Sequence, residues 1–179
     1  MKKILITTGG TGGHIIPAKI IEEHLINNFE IYYSTDVRGL RYLSSDTNKT
    51  IIIDTPKFNF NLFLPFKLIK IIYLIFRTIK FLKKKKIEKV ISIGGYMSIP
   101  IIIGAKILGL RIFLLEPNLV LGRANRFFLN FSKKIFCYSN ELLNFPKKNL
   151  HKIKLVKPLV SKSFYQFKIN KEKKNKFCF

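Results

Sequence analysis

The run Gly9-Gly10-Thr11-Gly12-Gly13-His14 places four glycines in five positions directly ahead of a histidine. Glycine has no Cβ, so such a run lets main-chain N–H groups come close to an anion. The next residues, about 15–27, have a helical pattern. A helix start adds unsatisfied N–H groups and the positive end of a dipole. Phosphate or pyrophosphate is the guest this chemistry fits. The spacing excludes two common nucleotide loops. A GxGxxG loop beginning at Gly10 needs glycine at position 15, where Ile15 stands, and no Gly-Lys-Ser/Thr comes after it to make a P-loop. At a helix start the imidazolium form of His14 is disfavoured. A neutral imidazole can take a proton from a hydroxyl, which is the work of a general base. The plainer reading, in which His14 caps or lines the turn, stays open at this point. His24 in mid-helix and His151 in a loop read as surface residues.

Two further polar turns carry candidate ligands. Gly94-Gly95-Tyr96-Met97-Ser98-Ile99-Pro100 comes after an apolar run. In it Ser98 reads as a helix N-cap, with Pro100 in the first turn, where proline is tolerated. Leu115-Glu116-Pro117-Asn118 ends another apolar run, and Gly122-Arg123-Ala124-Asn125-Arg126 opens the next helical stretch. Glu116 is expected to pair with Arg123 or Arg126.

The elements that must position these turns alternate along the chain. Strand patterns fall at 3–8, 31–34, 50–53, 89–93, 111–115, 134–138 and 153–156; helical patterns fall at 15–27, 65–85, 99–108 and 123–131. Apolar strands alternating with helices predict an α/β fold, a doubly wound parallel sheet covered on both faces. Such sheets bind ligands at the carboxyl ends of their strands. All three turns lie there.

Composition bounds the rest. The 179 residues hold 33 Lys+Arg against 10 Asp+Glu, a formal charge of +23, with 47% hydrophobic residues. That hydrophobicity argues against disorder, and 10 glycines with 7 prolines exclude a collagen-like chain. Two cysteines, Cys137 and Cys178, without a CxxC, give neither a disulfide framework nor a zinc ligand set, and fit a reducing compartment. The N-terminal MKKILITTGG is too short an apolar run for a signal peptide and reads as a first strand. No stretch of 18 uncharged apolar residues occurs. The segment 61–86 repeats Lys67, Lys70, Arg77, Lys80 and Lys84 at helical spacing. Leu68, Ile71, Ile72, Ile75, Ile79 and Leu82 cover the remainder, and Phe63, Phe66, Tyr73, Phe76 and Phe81 add aromatic bulk. A basic, apolar helix of this kind reads as a membrane-surface element, with Lys67, Lys70, Ile71, Ile75, Arg77 and Lys80 as contacts. An ordinary crossover helix with a solvated basic face is the alternative. No nucleic-acid-recognition motif accompanies the charge, so no nucleic-acid partner is expected.

Together GGTGGHIIPA (9–18), GGYMSIP (94–100) and EPNLVLGRANR (116–126) resemble the MurG family in order and spacing, over about residues 2–160. The family is that of the bacterial N-acetylglucosaminyltransferases of peptidoglycan synthesis. The resemblance implies a Rossmann-like N-terminal half of a GT-B fold. It implies transfer of N-acetylglucosamine from UDP-GlcNAc, a substrate rather than a cofactor, to the C4 hydroxyl of lipid I, with inversion and no metal. It implies His14 as the base, and Thr11, Gly12, Gly13 and Asn118 at positions used for the UDP-sugar. Gly10, Gly94, Gly95, Tyr96, Ser98 and Asn125 complete the expected substrate site. It also implies a peripheral place on the cytoplasmic face of the inner membrane. Two departures accompany the match. Val160, in Val156-Lys157-Pro158-Leu159-Val160, stands where the family has the arginine of Gly-Asn-Pro-Val-Arg. The family's second domain, with its GGSxG-type loop, is absent from the sequence. The expected organisation is therefore an acceptor and membrane-side domain at 1–163, then at 164–179 a linker and the start of a donor domain. UDP-GlcNAc would be met through that missing half, and this stretch alone would not turn over. A stand-alone acceptor or scaffold subunit with a separate nucleotide-sugar-binding partner is the alternative.

Overall fold

The computed structural model describes residues 1–43, 48–56 and 64–164. Phe63, Cys178 and the expected donor-domain start lie outside them. Among the described residues, seven strands form one sheet: β1 Lys2–Thr7, β2 Phe29–Thr35, β3 Thr50–Ile52, β4 Lys89–Ser92, β5 Arg111–Glu116, β6 Lys134–Cys137 and β7 Ile153–Leu155. Their order is β3-β2-β1-β4-β5-β6-β7, and each adjacent pair is parallel. The helices are α1 Gly12–Leu25, α2 Val37–Leu40, α3 Leu64–Lys85, α4 Ile99–Ile107 and α5 Arg123–Phe128. This is the doubly wound α/β class expected from the alternation. The main shift is at α1, which begins at Gly12 rather than at 15. Gly12 and Gly13 are helical there despite the poor helix propensity of glycine.

Side chains one residue apart on a strand point to opposite faces. Leu5, Val90, Ile112, Leu114 and Ile135 pack one face against α3, α4 and α5, through Leu74, Leu82, Ile101, Ile102, Ala105 and Phe128. Ile4, Ile6, Ile31 and Tyr33 pack the other face against Ile15 and Ala18 of α1. All strands point the same way, but their order in the sheet steps to one side from β1 to β3 and to the other side from β1 through β4 to β7. Right-handed crossovers then put α1 and the later helices on opposite faces. The cover on the α1 side is incomplete. Over β4 to β6 that face carries an apolar groove of about 340 Å³, lined among others by Ile91, Phe113, Leu115, Phe136, Val156 and Leu159. The expectation of helices over both whole faces is corrected to that extent among the described residues.

The basic helix α3 buries a narrow stripe of Ile71, Leu74, Thr78 and Leu82, spaced three or four residues apart, against α4 and the sheet. Ile71 is therefore a core residue and not a membrane contact, and Ile75 is half-buried. The exposed face holds Phe66, Ile69, Ile72, Tyr73 and Phe76 together with Lys70, Arg77 and Lys80. The sequence pattern could not separate these faces, because both are apolar. Three ion pairs occur among the described residues, Lys3–Glu30, Arg38–Asp36 and Lys49–Glu30. Cys137 is a buried free thiol, pushed up to about 12 by burial and by the nearby Glu116 charge, and is inert at neutral pH.

Candidate active site

The three polar turns meet at the carboxyl ends of β1, β4 and β5. β1 and β4 are neighbours whose succeeding helices lie on opposite faces, and this opens a crevice between them. Ile93 N–H donates to Thr7 O at 3.1 Å and closes the β1–β4 ladder. Below the crevice the Thr7 hydroxyl donates to Ser98 Oγ (3.1 Å), and Ser98 Oγ donates to the Gly94 carbonyl (3.0 Å). Ser98 is fully buried and makes no side-chain cap on α4. This corrects two expectations for it: its hydroxyl is spent joining two loops and is out of a ligand's reach. Gly94 and Gly95 come next at φ +93° and +86°, a left-handed backbone that side-chain-bearing residues rarely adopt. They carry the chain around the rim of the crevice into the short 3₁₀ turn Tyr96–Ser98.

His14 lies in the first turn of α1 and reaches across to β4. Its Nδ1 is 3.1 Å from the Ile93 carbonyl. A carbonyl can only accept, so Nδ1 carries the hydrogen and Nε2 of the neutral ring is the lone-pair site. The half-buried ring lines a cavity of about 620 Å³ with Gly94, Gly95, Tyr96, Glu116, Asn118, Arg123 and Asn125. The larger share of polar chemistry in the domain is here. The groove on the α1 face is nearly all apolar.

Glu116 organises the far wall. It is 3% exposed and accepts from Asn118 N–H (3.3 Å), Asn118 Nδ2 (3.0 Å), Gly122 N–H (2.8 Å) and Asn125 Nδ2 (3.0 Å). It forms no ion pair with Arg123 or Arg126 among the described residues, which corrects the expected pairing. Backbone and amide donors satisfy the carboxylate, and Arg123, itself exposed, is among the residues lining the cavity. Asn125 is also buried and donates to the Leu115 carbonyl at 3.0 Å. Its Oδ1 has no hydrogen-bond partner among the described residues.

Not every expected residue meets in this cavity. Gly10 is not among the residues lining it, and a Cβ there would sit 2.0 Å from Asp36 Oδ1, the atom that accepts from Gly39 N–H at the start of α2. Its lack of a side chain is required by packing against Asp36 and Arg38. Thr11, Gly12 and Gly13 are exposed on the α1 side of His14, with open space where Cβ atoms on the two glycines would project. His14, Gly94, Gly95, Tyr96, Asn118 and Asn125 do come together. Arg123, expected as a partner of Glu116, is instead a residue of the cavity lining. A cation beside a glycine at a helix start, past the end of a strand, was the available signal. Among the described residues no three His, Cys, Asp or Glu side chains converge as a metal site.

Fold and site define a doubly wound α/β domain with a ligand crevice at the reversal of strand order. Residues 4–137 match the model of the glycosyltransferase family 28 N-terminal domain, and the chain belongs to that family. It is 48% identical over 165 residues to the UDP-N-acetylglucosamine--N-acetylmuramyl-(pentapeptide) pyrophosphoryl-undecaprenol N-acetylglucosamine transferase of Pelagibacter ubique, covering 92% of this chain and 46% of the relative. The Rickettsia bellii protein of the same name is 37% identical over 150 residues, covering 82% and 41%. The chain thus spans about half the length of the relatives it matches. Among solved structures, Acinetobacter baumannii MurG superposes with TM-score 0.72 at 22% identity, covering 87% of this chain and 46% of that one. UDP-GlcNAc 2-epimerase from Methanocaldococcus jannaschii superposes with TM-score 0.60 at 18% identity, covering 87% and 45%. These two likenesses establish the fold.

The glycine loop yields a paired prediction. Gly10→Ala overpacks Asp36 and is expected to cost about 1–3 kcal/mol, a fall in Tm of roughly 3–10 °C. Gly12→Ala meets open space and is expected not to lower Tm. Thermal denaturation of both variants checks the contrast.

Proposed function

We propose that this chain is the acceptor-side half of an inverting N-acetylglucosaminyltransferase. The donor is UDP-GlcNAc and the acceptor is a muramyl-pentapeptide carried on undecaprenyl pyrophosphate, lipid I. One observation carries the reading: the Nδ1–Ile93 bond leaves Nε2 of His14 as the proton acceptor in a cavity walled by glycine turns. The names of the relatives supply the substrates. In this reading the C4 hydroxyl of the acceptor gives its proton to Nε2 as its oxygen bonds to the anomeric carbon of GlcNAc. The bond from that carbon to the UDP oxygen breaks, and UDP leaves with the electron pair. His14 becomes imidazolium, and the configuration at the anomeric carbon inverts. The Gly94 N–H is committed to Ser92 Oγ (3.2 Å), so the Gly95 N–H and the Arg123 side chain are the groups suited to the acceptor's pyrophosphate. Exposed Thr11, Gly12 and Gly13, together with Asn118 in the cavity wall, are the residues proposed to meet the nucleotide sugar. The step uses no metal or other cofactor.

The same reading places the protein peripherally on the cytoplasmic face of the inner membrane. No helix among the described residues is long and apolar enough to cross a membrane. Support for surface binding comes from α3, where Phe66, Ile69, Ile72, Tyr73 and Phe76 are each more than half exposed. Lys70, Arg77 and Lys80 share that face. Aromatic and aliphatic groups beside cations suit an anionic lipid surface.

Two measurements test this. In the full-length protein, His14→Ala is expected to lower kcat by about 10²–10⁴ with little change in KM, as loss of a base does. A near-normal kcat rejects His14 as the base. Neutralising Lys70, Arg77 and Lys80 to Gln is expected to weaken binding to anionic vesicles by up to about 1 kcal/mol per residue. Unchanged binding at low salt returns α3 to the role of a crossover helix with a solvated face.

A further inference from the structure

The segment that leaves the domain is tied to the far end of α1. Beyond β7, Val156 N–H donates to the Cys137 carbonyl (2.9 Å), and Leu159 N–H donates to the Tyr138 hydroxyl (3.3 Å). The chain then reaches the last turn of α1. His24 Nε2 lies 2.9 Å from the Val160 carbonyl, so this nitrogen is the donor. Glu23 Oε2 accepts from Ser161 Oγ at 2.9 Å and from Lys162 N–H at 3.1 Å. Ser161 Oγ in turn accepts from Ser163 N–H at 3.4 Å.

A carboxylate near the C-terminus of a helix faces the negative end of the dipole and is disfavoured there. Glu23 is stabilised because two donors from the exit segment converge on one of its oxygens. Those same bonds hold its carboxyl below the usual carboxylate range, the Ser161 hydroxyl contributing most and the Lys162 amide next. Around Val160 the grip falls on main-chain atoms, so the side chain at that position is not what holds the segment. α1 carries His14 in its first turn and the gripping pair in its last, about 14 Å apart along the axis at ~1.5 Å per residue.

We infer that Glu23 and His24 form a latch that fixes the direction in which the chain leaves this domain. Through α1 the latch holds residues 160–164 in a fixed place relative to His14. Glu23 and His24 are positioning residues in this account and touch no reacting atom. The kinetic consequence rests on the transferase reading; the latch itself does not.

The test uses the full-length protein. Glu23→Ala is expected to speed amide exchange in peptides spanning 160–164 by about tenfold or more, with exchange in β1 and β4 unchanged. Glu23→Gln keeps an acceptor oxygen and is expected to stay within about twofold of wild type. In turnover, Glu23→Ala is expected to raise KM for the nucleotide sugar about threefold or more, with acceptor KM and Tm unchanged. Wild-type exchange in Glu23→Ala/His24→Ala overturns the latch. So does faster exchange spread through β1 and β4 with a lower Tm, whereas faster exchange confined to 160–164 without the KM split sustains the latch and overturns its kinetic consequence. If the wild-type protein shows no transfer at all, the proposed function fails, and the exchange result alone sustains or overturns the latch.

Discussion

The site depends on one hydrogen bond, from His14 Nδ1 to the carbonyl of Ile93. It joins the first turn of α1 to the end of β4, the two elements on either side of the reversal in strand order. Ile93 is held from its other side too, since its N–H is committed to Thr7. The peptide groups around the crevice are therefore pinned before any ligand arrives. Preorganisation of this kind lets a ring act as a base without first spending free energy on finding its orientation. One layer below, the buried Ser98 hydroxyl repeats the device, linking Thr7 to the Gly94 carbonyl. Glu116 does so on the third side, where four donors settle on one carboxylate.

Much of the framework was legible from local pattern. Strands such as 111–115 are short apolar runs between polar turns, and turns such as Gly94-Gly95 have few other uses in a parallel sheet. The place of His14 at the crevice was also legible, because a histidine at the start of a helix after four glycines falls at the carboxyl end of a strand. What escaped the sequence was set by partners distant along the chain or by backbone groups. Glu116 had two arginines nearby in sequence, and opposite charge suggested a pair. The folded loop instead offered it N–H groups, which satisfy a buried carboxylate with less desolvation than a guanidinium requires. Ser98 looked like a cap by position, but Thr7 lies 91 residues away in sequence and claims it. Gly10 looked like part of an anion loop, and its real neighbour is Asp36.

α3 shows the same limit in another form. A helix that is apolar almost all round gives periodicity no means of choosing its buried side. Packing against α4 selected Ile71, Leu74, Thr78 and Leu82. The larger aromatic residues were left outside with the cations. Exposed Phe66 and Phe76 are costly in water and would become favourable at an interface, which is why the proposed surface contact is assigned to this face. The excess charge of +23 belongs to the same picture, since ten acidic residues cannot neutralise 33 basic ones.

The central claim is that His14 is held as a base by its Nδ1 hydrogen, and nitrogen-15 NMR of the imidazole at neutral pH tests it most directly. The account predicts a proton on Nδ1 and a bare Nε2 in the neutral ring, with the pattern lost on unfolding. A neutral ring protonated on Nε2 would contradict it, because Nδ1 could then make no bond to Ile93 and no lone pair would face the cavity.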